Sequence, residues 1–202
     1  MIDDRKFFSA CSFMDNVYII GGRINSAIGI HETATCFQFN ATSLKWKEVL
    51  EMNNARILSA CSLFEERIVV SGGMYSDDSL NTVEAYDPIG GTWKNMPNMI
   101  IERDGHKSVA VKNKLFVIGG SFTNNCEVFD STINKFTLLK QPTLASGFNL
   151  YDPSGVITIG SKIVVFQFNS DVKTYDTINN EWSKKKFEST ESIEFFSLVK
   201  CF

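Results

Sequence analysis

Short apolar runs separated by polar turns recur along the whole chain. An apolar run that ends in two glycines occurs three times, as VYIIGG, RIVVSGG and KLFVIGG, with the first glycine at 21, 72 and 119. A second run precedes an Asn or Asp and occurs four times, as CFQFN (36–40), VEAYD (83–87), CEVFD (126–130) and VKTYD (172–176). Alternation with a period of two is typical of a strand with one buried face. No long 3.6-residue period is present, so the pattern predicts an all-β chain.

Two further markers keep the same phase as these runs. An aromatic residue lies six residues after each Asn or Asp, at Trp46, Trp93, Phe136 and Trp182. Ten residues beyond each aromatic lie Arg56, Arg103, Ser146 and Ser192, and Arg5 opens the first copy. Several markers in one phase indicate an internal structural repeat rather than a single site.

Each repeat is predicted to be a short antiparallel meander of four strands. Strand one follows the Arg, as FFSACSF, ILSACSLF and HKSVAV, with FFSLVKCF as its equivalent at the end of the chain. Strand two ends at the diglycine, strand three alternates, and strand four carries the aromatic residue. The connections DPIGGTW, DSTINKF and DTINNEW have turn chemistry, because Asp can accept hydrogen bonds from the backbone ahead and Gly or Asn tolerates a positive φ.

The diglycines do not indicate a phosphate-binding loop. Such a loop requires the N-terminus of a helix directly after it, and here a polar loop and a strand follow. A glycine at the end of a strand instead allows another backbone to approach closely, or the chain to bend with positive φ. The repeated Arg is likewise predicted to be structural.

The segment GGMYSDDSLNTVEAYDPIGGTW (72–93) resembles a kelch repeat, and the chain from Arg5 onward resembles a kelch β-propeller. The resemblance is closest to the Kelch domain of Kelch-like adaptors, which carry BTB and BACK domains before the propeller. It implies four-stranded antiparallel blades around a central channel. We therefore expect a single kelch-repeat domain over residues 1–202, with repeats at about 5–52, 56–99, 103–142 and 146–188 and an additional strand at 192–202.

The fourth repeat departs from the pattern. Aligned on its Tyr-Asp pair, it holds Val165 and Phe166 in place of the diglycine and Ser146 in place of the Arg. Four repeats and one strand are fewer than an adaptor-type propeller contains. We expect an incomplete, open propeller of four blades plus one strand; the alternative is a closed ring of four blades with the last strand added.

Composition narrows the classes of function. The 202 residues are 44% hydrophobic and carry a net charge of −3, which suits one domain with a sizeable core and gives no basic face for nucleic acid. The only like-charge run, at 184–186, is expected to be a solvated strand end. The start MIDDRKFF lacks the apolar region of a signal peptide, and no run is long enough for a membrane helix. We expect no membrane contact and a cytoplasmic location.

The five cysteines include no CxxC pair, which argues against a disulfide framework and a zinc site. Cys11, Cys36, Cys61 and Cys126 occupy strand positions and are expected to be reduced core residues; Cys201 fits no repeat position. The two histidines, His31 and His106, hold different repeat positions and are expected to be a loop residue and a structural residue. The pair 77–78 is expected to be a solvated turn. These residues predict no catalysis, no cofactor and no metal.

The resemblance implies that a partner protein contacts one face of the propeller, through the residues just after each diglycine and each repeat Arg. Position by position, these partner-binding residues are Arg23, Met74 with Tyr75, and Ser121 in the first set, and Lys6, Phe7, Ile57, Leu58, Asp104 and Gly105 in the second. Gln167, Gly147 and Phe148 take these places in the fourth repeat. Such a mixture suits a protein segment with acidic and apolar side chains.

Three functions are compatible with the resemblance. The first is the substrate-recognition region of a Kelch-like adaptor of a cullin-RING ubiquitin ligase, with cullin recruitment only through domains absent from this chain. The second is a kelch protein that binds actin or another part of the cytoskeleton. The third is an enzyme similar to the copper oxidases that share the motif, but these require histidine and tyrosine copper ligands and secretion, neither of which the sequence indicates. We expect a binding module with a protein partner.

Overall fold

The repeats fold into four sheets of four antiparallel strands, which we call blades 1 to 4. The computed structural model describes residues 4–27, 29–140, 150, 153–167 and 171–186. Within these ranges the regular elements are strands, with no helix. The predicted all-β class is confirmed.

Blade 1 and a small additional sheet are formed by the first seven strands, β1 (Arg5–Lys6), β2 (Ser9–Phe13), β3 (Asn16–Ile20), β4 (Arg23–Ser26), β5 (Gly29–Glu32), β6 (Cys36–Asn40) and β7 (Lys45–Val49). The blade has the order β2-β3-β6-β7, and the additional sheet has the order β1-β4-β5.

Blade 2 includes β8 (Ala60–Phe64), β9 (Arg67–Ser71), β12 (Val83–Asp87) and β13 (Thr92–Met96), and between them lies a hairpin of β10 (Met74–Tyr75) and β11 (Asp78–Ser79). Blade 3 consists of β14 (Lys107–Val111), β15 (Lys114–Ile118), β16 (Cys126–Asp130) and β17 (Lys135–Leu138). Blade 4 consists of β18 (Gly155–Ile159), β19 (Lys162–Phe166), β20 (Asp171–Asp176) and β21 (Glu181–Lys186).

Strands two, three and four lie where the repeat markers predict them, except at the end of strand two in blade 4. Strand one begins later than predicted in the first three blades, because the second residue after each Arg adopts a left-handed conformation. The φ angles are 57° at Phe7, 54° at Leu58 and 64° at Gly105. These three residues link neighbouring blades, since the Leu58 N–H donates to the Phe7 carbonyl (3.0 Å) and the Gly105 N–H donates to the Leu58 carbonyl (2.9 Å).

In blade 4 the structure differs from the prediction at two positions. Strand one of this blade is β18, which the sequence analysis did not predict. FFSLVKCF (195–202) and Ser146 lie outside the described residues. The Arg56 carbonyl approaches Gly21, and the Arg103 carbonyl approaches Gly72. In the same way the Leu150 carbonyl approaches Gly119, so Leu150 takes the position of the repeat Arg in blade 4. The connection from strand four is longer here, which fixed spacing cannot anticipate.

The residue that follows strand two in blade 4 also differs from the prediction. Phe166 pairs with Val172 as Ile118 pairs with Cys126 in blade 3. Gln167, and not Val165, therefore takes the place of Gly119.

The core lies between blades. Three buried clusters are centred on the junctions of blades 1 and 2, 2 and 3, and 3 and 4. Strand one of each blade adjoins strand one of the next, in the order β2, β8, β14 and β18. These strands therefore form the inner edge of an arc, and the blades described make an open propeller.

Aromatic rings connect strands within and between the blades. In each blade an aromatic of strand three packs on that of strand four, with ring centroids 4.9–5.1 Å apart, for example Tyr86 on Trp93. Phe64 and Phe129 then meet across blades 2 and 3. Trp46 is 41% exposed, unlike the other three strand-four aromatics, because no described blade packs on that side of blade 1.

Each diglycine combines positive φ with close packing, as the sequence predicted. At Gly72 φ is 53°, and an added Cβ would lie 2.5 Å from the Arg103 carbonyl oxygen and 2.7 Å from Cε1 of His106. The next glycine, Gly73, donates its N–H to that same carbonyl (2.9 Å). The first glycine therefore makes room for the neighbouring blade, and the second bonds to it.

Replacing Gly72 by Ala should destabilise the chain more than replacing Gly91, whose φ is 66° but which has open space where a Cβ would stand. Gly91→Ala carries only the left-handed strain, about 1–2 kcal/mol. Gly72→Ala adds steric overlap with a fixed backbone oxygen, roughly 1–3 kcal/mol more. Urea unfolding of the two variants measures the difference, and equal losses would contradict the close-packing role.

Candidate functional site

The predicted partner-binding residues gather at the end of the blades where strand two finishes, which we call the upper face. In each of the first three blades, the residue after the Arg lies beside the residue after the diglycine. Lys6 pairs with Arg23 between β1 and β4, and Ile57 and Met74 exchange two backbone hydrogen bonds (3.0 and 2.8 Å). In blade 3 the Ser121 N–H donates to the Asp104 carbonyl (2.9 Å). The two sets predicted separately thus form one strip.

Hairpins of different lengths project from this strip. In blade 1 the hairpin is β4–β5, and in blade 2 it is the two-residue hairpin β10–β11. Ser76 and Asp77 form its tip with φ of 51° and 69°, the values of a turn that matches strand twist. The expected turn at 77–78 is therefore confirmed in part, since Asp78 already belongs to β11. The hairpin presents Tyr75, which is 50% exposed.

Burial separates surface residues from supporting ones. Phe7 is 52% exposed and Lys6 is also exposed, whereas Arg23, Leu58, Met74 and Ser121 are half-buried. Ile57 is only 2% exposed and Asp104 only 4%. The prediction that these two side chains contact a partner is therefore corrected: each lies beneath the surface.

Asp104 has a clear supporting role. Its carboxylate accepts hydrogen bonds from the Ser79 hydroxyl and the Ser121 hydroxyl, both at 2.6 Å. It thereby ties the hairpin of blade 2 to the loop of blade 3.

Arg23 does not present a free positive charge. Its guanidinium donates to Oε1 of Glu32 across the β4–β5 hairpin at 2.7 Å, and this hydrogen bond lowers the pKa of Glu32. The charges of the pair offset each other, so the upper face is less basic than the sequence suggested.

Sequence reasoning missed two aromatic residues of the upper face. Phe8 is 45% exposed beside Phe7, and Phe122 is 88% exposed directly after Ser121. A large aromatic next to a predicted contact position was the available signal, because such residues are enriched in interface cores. In blade 4, Gln167 is buried and accepts a hydrogen bond from Lys173, so it is not a surface residue; Gly147 and Phe148 lie outside the described residues.

Buried arginines hold the upper face from below. The Arg56 guanidinium donates to the carbonyls of Gly72 (2.7 Å) and Thr82 (3.1 Å) and to Oε1 of Glu84 (2.5 Å). Arg103 makes the equivalent bonds to Gly119, Asn125 and Glu127 at 2.7, 2.7 and 2.5 Å. All four charged side chains have no exposed surface. Burial lowers the pKa of Arg56, and the Glu84 charge opposes this.

The two glutamates also fix the segments that connect the blades. Glu84 accepts from the backbone N–H groups of Asn53 (2.7 Å) and Asn54 (3.2 Å). Glu127 accepts from those of Ile100 (2.7 Å) and Ile101 (3.0 Å). The sequence analysis did not single out these glutamates, although both lie in the second position of strand three. Phe37 takes that position in blade 1, where the Arg5 guanidinium lies 4.8 Å from its ring centroid.

His106 is a structural residue, as predicted. It is 1% exposed, and its Nε2 lies 3.0 Å from the Ser71 hydroxyl. Burial, followed by the charges of Arg103, Lys107 and Arg56, holds the pKa of His106 well below 6.5. His31, which was expected to be a loop residue, lies instead in strand β5, with Nδ1 3.1 Å from the Gly29 carbonyl oxygen.

The described part of the chain contains neither a cluster of metal-ligand side chains nor a membrane-spanning helix. Residues 4–27, 29–140, 150, 153–167 and 171–186 contain no group of three His, Cys, Asp or Glu side chains arranged for a metal. The same ranges contain no helix of the length and hydropathy that crossing a bilayer requires.

Comparison with known proteins agrees with this geometry. The Kelch motif family model matches residues 55–100, which cover blade 2. Spermatocyte protein spe-26 of Caenorhabditis elegans is 30% identical over 126 residues, covering 59% of this chain and 22% of the relative. Kelch-like protein 40 of Xenopus tropicalis is 27% identical over 111 residues, covering 55% and 18%. An F-box/kelch-repeat protein of Arabidopsis thaliana is 30% identical over 109 residues, covering 52% and 28%.

The aligned part spans between 18% and 28% of the length of these relatives. Among solved structures, that of YjhT superposes with a TM-score of 0.74 at 15% identity, covering 93% of this chain and 67% of that one. The fold is thus that of a β-propeller. A Kelch motif is thus present at residues 55–100, and the chain is similar to kelch-repeat proteins over little more than half of its length. Kelch repeats imply a protein-interaction module.

We expect Arg103→Met to lower the free energy of unfolding by about 3–5 kcal/mol, because it leaves the buried Glu127 carboxylate without its cation. Arg67→Met is the matched control at an exposed arginine and should stay within about 0.5 kcal/mol. Urea unfolding measures both. Adding Glu127→Gln to Arg103→Met should recover part of the loss. The role assigned to the ion pair is wrong if Arg103→Met behaves like the control.

Stability should also depend on pH through His106. The unfolded chain binds a proton below about pH 6.5, whereas the folded chain excludes it down to a much lower pH. The free energy of unfolding should therefore fall as pH drops from 6.5 to 5.5, by up to about 1.4 kcal/mol per unit from this group. His106→Asn should flatten the slope. Chemical unfolding of the parent and the variant at several pH values tests this, and equal slopes for the two proteins would refute it.

Proposed function

We propose that this chain is a non-catalytic protein-binding module whose partner lies on the upper face. The observation that carries the proposal is the strip in which Lys6 lies beside Arg23, and Ile57 beside Met74, under exposed Phe7 and Tyr75. A rigid base with projecting hairpins is a common arrangement for recognition. A cytoplasmic location belongs to this proposal, as does the absence of nucleic acid, membrane, metal and cofactor from its function.

The partner is best described as a protein segment with apolar or aromatic side chains. Among the described residues, four exposed aromatic ones lie on the upper face, Phe7, Phe8, Tyr75 and Phe122. Aromatic side chains contribute strongly at interfaces because they bury a large area at a small entropic cost. Lys6 adds a positive charge at the edge, whereas Arg23 is neutralised by Glu32.

The more specific function that we propose is substrate recognition in a Kelch-like adaptor of a cullin-RING ubiquitin ligase. The similarity to Kelch-like protein 40 and to an F-box/kelch-repeat protein supports it. The first name belongs to a Kelch-like protein, and the second name joins kelch repeats to an F-box. Cullin recruitment would require domains outside these 202 residues. The second candidate is a kelch protein that binds actin, which the same strip of exposed aromatic residues would also suit.

Binding is tested by selecting a random displayed-peptide library on the immobilised chain. We expect enrichment of peptides that contain aromatic or aliphatic residues. A synthetic peptide of the selected sequence should lose about tenfold or more in affinity for Tyr75→Ala. Ile89→Ala is the matched control, because Ile89 is 77% exposed in a turn at the opposite end of blade 2. Binding that survives Tyr75→Ala and Phe122→Ala together, with unchanged Tm, would exclude the upper face.

The two specific functions differ in a second measurement. Purified filamentous actin is centrifuged with the chain, and the full-length product of the native gene is tested for co-precipitation with a cullin. Co-sedimentation of the chain with actin, without co-precipitation of a cullin, would support the cytoskeletal candidate. Co-precipitation of a cullin, without co-sedimentation with actin, would support the adaptor.

A further inference from the structure

Two thiols lie beside each other where blade 1 meets blade 2. Cys11 is in β2 and Cys61 is in β8, the adjoining strands of the inner edge, and both are free thiols. The strands are tied together two residues earlier, where the Ser9 hydroxyl lies 2.7 Å from the Ser59 carbonyl and 2.8 Å from the Ser59 hydroxyl. Both cysteines pack against the same buried cluster.

The next blade junction shows how close this pair of positions lies. Cys11 is the third residue of its strand one, as Ser62 is of β8, and Cys61 is the second residue, as Ser108 is of β14. The hydroxyl oxygens of Ser62 and Ser108 are 2.7 Å apart. The repeat therefore brings the side chain of the third residue of one strand one into contact with that of the second residue of the next strand one. At the junction of blades 1 and 2, both of these side chains are thiols.

Environment sets these thiols apart from the other described cysteines. Cys36 and Cys126 are buried, and burial raises the pKa of each to about 12. Cys11 and Cys61 are half-buried at the inner edge. A hydrogen bond from the Cys61 thiol lowers the pKa of Cys11, whereas burial raises the pKa of Cys61. The two thiols are adjacent and only half-buried, so one can react with an oxidant and the other can then attack it.

We propose that Cys11 and Cys61 form a reversible disulfide between blades 1 and 2 when the chain meets a hydroperoxide. The Cys11 thiolate attacks the peroxide, the O–O bond breaks, and one oxygen leaves as water or an alcohol after taking up a proton. Cys11 is then a sulfenic acid. The Cys61 sulfur attacks the Cys11 sulfur, the S–O bond breaks, and water leaves with the Cys61 proton. The thiols lose two electrons in total, and the hydroperoxide gains them.

The disulfide would lie directly under the proposed binding surface. Phe7 and Leu58 precede β2 and β8, and their backbones are already joined by a hydrogen bond of 3.0 Å. A covalent link would fix the spacing of these two segments. This consequence depends on the proposed function; formation of the disulfide does not.

The experiment treats the full reduced chain with stoichiometric hydrogen peroxide, blocks remaining thiols by alkylation, and digests with trypsin without reduction. Cleavage places Cys11 alone in peptide 7–23 and Cys61 alone in peptide 57–67. We expect these two peptides to be joined, with the loss of two hydrogen atoms, and to separate on addition of a reductant. Peptides 24–45 and 115–135, with Cys36 and Cys126, should carry the alkyl group.

Cys11→Ser with Cys61→Ser is the control variant, because it reproduces the Ser62–Ser108 pair and should therefore fold. Peroxide should raise the Tm of the parent and leave that of the variant unchanged. Two results would overturn the proposal: peptides 7–23 and 57–67 recovered singly, alkylated or over-oxidised, or a cross-link that joins two copies of the chain. Since no partner is needed, this outcome is independent of the peptide-binding test.

Discussion

A buried arginine that serves two blades at once is the interaction on which the rest of the structure depends. The guanidinium of Arg56 binds the Gly72 carbonyl within its own repeat, while its own carbonyl accepts the N–H of Gly22 from the preceding blade. A buried charge is unfavourable unless it is paired and fully hydrogen-bonded. Glu84 supplies the charge, and its remaining hydrogen-bond capacity holds the connecting segment at Asn53. The arginine and its paired glutamate therefore fix the end of strand two, the segment that connects the blades and the contact with the preceding blade.

The regular geometry of the upper face follows from these hydrogen bonds of the buried arginines. The residue after each Arg is held by the backbone of the residue after the diglycine, as at Ile57 and Met74. The next residue, such as Leu58, turns with positive φ and bonds to the adjoining blade. The base of the face is thus the same in the first three repeats. What varies is the hairpin after the diglycine, and under the proposed function the exposed side chains of that hairpin would determine specificity.

The order of the strands and the position of the upper face could be predicted from sequence because both follow from fixed spacing. Exposure could not, because it depends on what a neighbouring blade covers: Ile57 and Asp104 are adjacent to surface residues and yet buried. The arginine partners Glu84 and Glu127 were also missed, since in blade 1 a phenylalanine takes the same position. Leu150 was missed because the connection before blade 4 is longer than the others.

Differences between repeats are informative where the geometry stays constant. At one inner position the chain places Ser62 against Ser108 at one junction and Cys11 against Cys61 at another. Two hydroxyls in contact can only exchange a hydrogen bond, whereas two thiols in contact can also exchange electrons with an oxidant. The same argument applies to strand three of blade 4, where Lys173 replaces the glutamate and bonds Gln167. The backbone repeat fixes which side chains meet, and the residue at each copy decides what that contact can do.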